Sequence, residues 1–84
     1  MIFLIEYDRR QGRLVSLSEF PDAARRKAAE ARLELELALH RTGLEHEVVL
    51  LEAANRHALE QTHRRYFQSL TESLKDFAKS TGGA

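Results

Sequence analysis

His57, Glu60 and His63 fall at i, i+3 and i+6, and Glu60-Gln61-Thr62-His63 has the E-x-x-H spacing by which helical bundles hold paired metal ions. Glu36 and His40, at i,i+4, could add a carboxylate and an imidazole from a second helix. Two features weigh against a metal centre. At 100° per residue His57 and His63 stand about 240° apart around a helix and do not converge on one ion. His63 also continues an apolar seam, where a hydrogen-bonded, half-buried histidine is the commoner role. Nucleophilic chemistry has less support still. The chain has no cysteine, and Ser16, Ser18, Ser69, Ser73 and Ser80 have no Gly-x-Ser-x-Gly context. Gly12, Gly43, Gly82 and Gly83 are too scattered to form a phosphate-cradling loop. The expectation is a non-catalytic protein with no metal and no cofactor.

Cationic side chains are the other candidates. Arg9, Arg10 and Arg13 crowd one loop, and Arg25, Arg26 and Lys27 lie in the second turn of an expected helix. Cations near a helix N-terminus oppose its dipole, so such a cluster either marks an anion site or pairs with nearby acids such as Asp22 and Glu30. Arg64 and Arg65 beside Tyr66 and Phe67 form the basic-aromatic mixture of single-strand binders, although the aromatics serve equally as core. Phosphate or nucleic-acid binding through Arg9, Arg10, Arg13, Arg25, Arg26 and Lys27 is therefore the alternative function.

The elements that position these groups follow from hydrophobic patterning. Ile2 to Tyr7 is an apolar, β-branched and aromatic run and reads as a strand. Gly12 can close a short hairpin loop before a second strand from Arg13 to Ser18. Pro21 and Asp22 suit a helix start, strong helix formers continue to Thr42, and Gly43 makes a C-terminal stop. Leu33, Leu35, Leu37 and Leu39 alternate as in a strand, but the segment holds no β-branched residue and no breaker. Glu47 to Ala53 reads as a third strand. Asn55 caps a second helix expected to reach about Lys79, with residues 80–84 as a fraying tail. The expected fold is α+β with the order ββαβα: one domain over residues 1–79, a three-stranded antiparallel sheet in the order 2-1-3, and two long helices.

Alternation gives the sheet one wholly apolar face, with Phe3, Ile5, Tyr7, Val15, Leu17, Val49 and Leu51, where the helices are expected to pack. The opposite face carries Ile2, Leu4, Leu14, Val48 and Leu50 among polar residues. Each large apolar side chain fully buried contributes roughly 1.5–3 kcal/mol, so this face needs a cover. Either one helix crosses to it, or a second copy or another protein lies there. Leu33 and Leu37 form a patch on the far side of the first helix. Phe67, Leu70, Leu74 and Phe77 extend from His63 in a 4-3-4-3 seam. Together these surfaces lead to the expectation of a small, cytoplasmic interaction module, a homodimer or the partner of another protein, with Leu33, Leu37, Phe67, Leu70, Leu74 and Phe77 at the interface.

Composition bounds the rest. The 84 residues carry 13 basic and 13 acidic side chains and are 43% hydrophobic, which fits a globular chain and not a uniformly basic nucleic-acid binder. The longest apolar run, Met1 to Ile5, is far short of the roughly 18 residues a membrane span needs, and it lacks a signal peptide's flanks. The zero net charge conceals segregation: residues 1–32 carry +2, residues 33–60 carry −4, and residues 61–84 carry +2. Basic ends flanking an acidic middle suit contact between two copies.

Overall fold

A strand that is apolar on both sides must sit between two covers, and Ile2–Asp8 meets that condition as β1. A computed structural model of the chain describes residues 1–67. β1 is the central strand of an antiparallel sheet, with β2 (Arg13–Phe20) on one side and β3 (His46–Glu52) on the other, in the expected order β2-β1-β3. The hairpin loop between β1 and β2 is shaped by Asp8, whose carboxylate accepts the backbone N–H groups of Arg10 and Gln11. Gly12 then takes the left-handed conformation, at φ 65°.

The α1 helix (Arg25–Thr42) follows a single 3-10 turn over Asp22–Ala24 that Pro21 initiates. The helix thus begins three residues later than expected, which puts Arg25, Arg26 and Lys27 in its first turn. Its end is as expected. Gly43 adopts φ 73°, and the N–H groups of Gly43 and Leu44 return to the carbonyls of His40 and Leu39. The Asn55 side chain accepts the Ala58 N–H at 2.8 Å and so caps α2 (Arg56–Thr62).

The two helices cover opposite faces of the sheet, whereas the alternation alone placed both on one. Phe3 and Ile5 of β1 pack with Leu59 of α2 and with Tyr66 and Phe67 in the principal core, flanked by Tyr7, Leu14, Leu17, Val49 and Leu51. Ile2 and Leu4 point the other way and are nonetheless 2% and 6% exposed. Their cover is α1, which buries Ala28 and Leu39 and lies over β3 and β1 more than over β2. Of the two open readings of the second face, a crossing helix is the one found. The small side chains Ala24, Ala28 and Ala31 allow the helix backbone to approach the strands closely.

One residue of β2 breaks the expected alternation. Glu6 pairs with Ser16 but Tyr7 pairs with Leu14, so Val15 is the extra residue of a β-bulge. Past the bulge the faces exchange by one position. Leu14 therefore joins the core beside Tyr7, and Val15, expected inside, is 45% exposed.

The second helix is shorter than expected. It stops at Thr62, His63 leaves helical geometry at φ −125° and ψ 53°, and helical backbone resumes at Arg64. The Thr62 hydroxyl donates back to the carbonyls of Ala58 and Leu59, a local bond that competes with continuation of the ladder. The break turns Tyr66 and Phe67 into the core alongside Leu59.

The face assignment has a direct check. Ala28 is fully buried and its neighbour Ala29 is exposed. Ala28→Leu is expected to lower the stability by about 1–3 kcal/mol through overpacking against the sheet. Ala29→Leu is expected to stay within about 0.5 kcal/mol of the parent. Urea denaturation of the two variants measures both, and equal effects would place α1 elsewhere.

Candidate functional site

The strand register assembles two polar clusters, one on each face, at the end of the sheet nearest the hairpin loop. On the α1 face, Asp8 stands opposite His46 and Glu6 lies one diagonal step away, flanked by Val48 and Ser16. The His46 ring places Nδ1 2.5 Å from Glu6 Oε2 and Nε2 3.7 Å from Asp8 Oδ2. Glu6 Oε1 accepts the Ser16 hydroxyl at 3.5 Å. All three ionisable side chains are largely buried, and among the described residues no buried side-chain N or O atom lacks a partner. An imidazole held by a carboxylate is the arrangement of a general base. Here the neighbouring hydroxyl, Ser16, is bonded to Glu6 and not to the ring, so no nucleophile–base pair is formed. The cluster joins β3 to β1 through side chains as well as by backbone.

The opposite face holds an aromatic and ionic cluster. Tyr7 and Tyr66 meet edge to face, with ring centroids 5.3 Å apart at 85°. The Arg65 guanidinium lies over the Tyr66 ring at 4.7 Å and over Tyr7 at 6.0 Å, and it donates to Glu47 of β3. That hydrogen bond holds the Glu47 carboxyl below its ordinary pKa and raises that of Arg65. Burial pushes the Tyr66 phenol up.

Between the hairpin loop and the α1–β3 connection lies an open cleft of about 820 Å³, with His46 and Asp8 in its wall. Arg9 and Arg10 face Glu45 and Asp8 there, a wall of mixed charge. The expected cationic set does not gather into one site. Arg9, Arg10 and Arg13 sit at the hairpin, and Arg13 donates to Gln11 at 3.4 Å. Arg25 ion-pairs with Glu52, which stands opposite Ile2 at the other end of β1. Arg26 and Lys27 are exposed beside it in the first turn of α1. About 20 Å of strand separates the two groups.

The segregated charge of the sequence is knit up largely within one chain. The acidic middle segment supplies Glu47 and Glu52, and the basic flanking segments supply Arg65 and Arg25 to meet them. Of the helical histidines and acids, Glu60 pairs with Arg56 at 3.4 Å, Glu36 pairs with Arg32 at 2.8 Å, and the His63 ring lies near Tyr66. Among the described residues no group of three or more histidines and acids could hold a metal ion. None of these helices is long and apolar enough to cross a membrane.

The apolar candidates divide. Leu33 and Leu37 are 57% and 48% exposed on the outer side of α1, as expected, and Leu44 just past the helix adds a third leucine at 53%. Leu44 follows the left-handed Gly43 and lines the cleft by the hairpin loop, so the helical spacing of α1 does not place it. Phe67 follows the break at His63 and is buried in the chain's own core. Leu70, Leu74 and Phe77 lie outside the described residues. The two polar clusters had no local signature, since their members come from β1, β3 and the segment after α2.

The Glu47 shift sets a pH dependence. A carboxylate whose folded-state pKa is lowered contributes stability that is present above its ordinary pKa and lost as the pH falls through the lowered value. Arg65→Ala is expected to lower the melting temperature at neutral pH, and the difference from the parent is expected to close on acidification through the carboxylate range. Thermal melts followed by circular dichroism across that range measure it. A pH-independent difference would mean that Arg65 acts through ring packing alone.

Comparison of the chain with protein-family models, with curated proteins and with solved structures gives no match.

Proposed function

We propose that the chain is a small, non-catalytic interaction module that works as a homodimer and offers the outer side of α1 to a partner protein. The observation that carries this reading is where apolar surface is left over. Both faces of the sheet are covered from within the chain, so Leu33 and Leu37, exposed one helical turn apart on the outer side of α1, are spare. A single exposed leucine needs no explanation, but an i,i+4 pair on one helix face flanked by Arg26, Glu30, His40 and Arg41 has the form of a helix-docking seam. The partner class is an amphipathic helix, with its own apolar residues at i, i+3, i+4 and i+7 set against these leucines.

The test uses a photo-reactive side chain placed at Leu33, at Leu37, or at the exposed Ser18 of β2 as control. Crosslinking in the living cell is expected to give one discrete adduct from both α1 positions and none from Ser18. The adduct from position 33 is expected to vanish when Leu37 is also replaced by Glu. Replacing both leucines with Glu is expected to leave folding stability within about 0.5 kcal/mol per site, since neither contributes to the core. Equal labelling from Ser18, or loss of folding in the double variant, would defeat the reading.

A further inference from the structure

The two edges of the sheet are built differently, and the difference identifies where a second copy binds. The outer edge of β2 is guarded by the bulge at Val15, by Arg13, Ser16, Ser18 and Glu19, and by Pro21 just beyond it. Such features stop one sheet edge from pairing with another. β3 is regular throughout its pairing with β1, and its charged residues, Glu47 and Glu52, are ion-paired within the chain; between them Val48-Val49-Leu50-Leu51 runs without a charge, a glycine, a proline or a bulge. No described strand pairs with its outer side.

The phase of the ladder fixes which groups that edge presents. The Ala53 N–H donates to the Met1 carbonyl, so Met1 and Ala53 form a hydrogen-bonded pair in the β1–β3 register. Hydrogen-bonded and non-hydrogen-bonded pairs alternate, so Val49 and Leu51 bond inward to β1. The N–H and C=O groups of His46, Val48, Leu50 and Glu52 therefore face outward. We infer that this edge pairs antiparallel with the same edge of a second copy, across a two-fold axis at Val49, to give a continuous six-stranded sheet.

Three observations converge on that register. It sets His46 against the second copy's Glu52 and Val48 against its Leu50, so every outward N–H and C=O of the strand is matched. A shift of two residues leaves one end unmatched. The same register opposes histidine to carboxylate at both ends, and through the Arg25–Glu52 and His46–Glu6 contacts it links the ionic groups of the two copies.

The helices also fit. Strands lie about 4.8 Å apart, so the axis is about 2.4 Å from β3 and about 7 Å from β1. Because α1 lies over these two strands, it and its copy would run about 10 Å apart, near the 8–10 Å spacing of packed helices. Leu33 and Leu37, on the side of α1 away from the sheet, stay free. The inference rests on the homodimer named under the proposed function and adds its surface and register.

The experiment is sedimentation of the full chain from low to several hundred micromolar, with hydrogen exchange of backbone amides read by NMR. A dimer is expected, with Val48, Leu50 and Glu52 amides protected to the same order as the inward-facing Val49 and Leu51. Of the backbone groups, Val48→Pro/Leu50→Pro removes only outward N–H groups, and it is expected to weaken association by about a hundredfold or more while the monomer keeps its far-ultraviolet spectrum. A monomer throughout the concentration range overturns the inference, and so does a dimer whose Val48 and Leu50 amides exchange freely. A monomer with those amides protected shows a different cover on the edge and overturns it too. Should the proline variant not fold, the amide pattern of the parent protein still decides. An unchanged α1 crosslink in a strictly monomeric protein would end the edge pairing and leave the docking role of α1 standing.

Discussion

Everything in this structure answers to one constraint: the central strand is apolar on both sides. Phe3 and Ile5 face one way, Ile2 and Leu4 the other, and all four are buried. An antiparallel sheet commonly leaves one face to water, but this one cannot without exposing a large part of its core. Both helices are therefore spent on the sheet, α1 on one face and α2 with Tyr66 and Phe67 on the other. An 18-residue helix over a sheet of seven- and eight-residue strands leaves its outer surface to other uses. The leucines found there are surplus to folding.

The half-buried polar side chains of β1 and β3 gather at the end nearest the hairpin loop, and there each has a partner. Glu6 and Asp8 face His46, Glu47 faces Arg65 across two tyrosine rings, and Asp8 also ties down the hairpin backbone. A polar group left without a partner in any of these places would carry a desolvation penalty that a domain of this size can ill sustain. The clusters resist sliding of β3 along β1, because a shift of two residues would separate His46 from both of its carboxylates. A wholly aliphatic β3 would hold its register less firmly.

The sequence made the strands, the topology, the end of α1 and the start of α2 legible, because those depend on local pattern: the Ile2–Tyr7 run, Gly12, Gly43 and Asn55 each act within a few residues of themselves. What it hid depends on pairs of distant residues. The bulge at Val15 arises from how β2 meets Glu6 and Tyr7, and it reverses the alternation that the strand's own residues suggest. The side of the sheet that α1 takes is set by a competition between two apolar faces that no single segment encodes. The break at His63 reflects the pull of the core on Tyr66 and Phe67, with the Thr62 hydroxyl easing the interruption. Of the candidate site, Leu33 and Leu37 were readable from helical spacing, whereas Phe67 required the break to be known. The Glu6–His46 contact joins residues 40 positions apart and had no local mark at all.

The order β2-β1-β3 has a consequence for how the chain is made. β1 is synthesised before either of its neighbours, and β2 follows after a short loop, so that hairpin can close while the rest is still being translated. Its other neighbour arrives only after the whole of α1, and the aromatic cover of Phe3 and Ile5 later still. For that interval the nascent chain carries a two-stranded ribbon with apolar side chains on both surfaces and an open backbone edge. The quick assembly of α1 from local contacts, well before β3 appears, is then a form of kinetic shelter: a helix that forms in about a microsecond can lie over Ile2 and Leu4 while the slower, long-range pairing is completed.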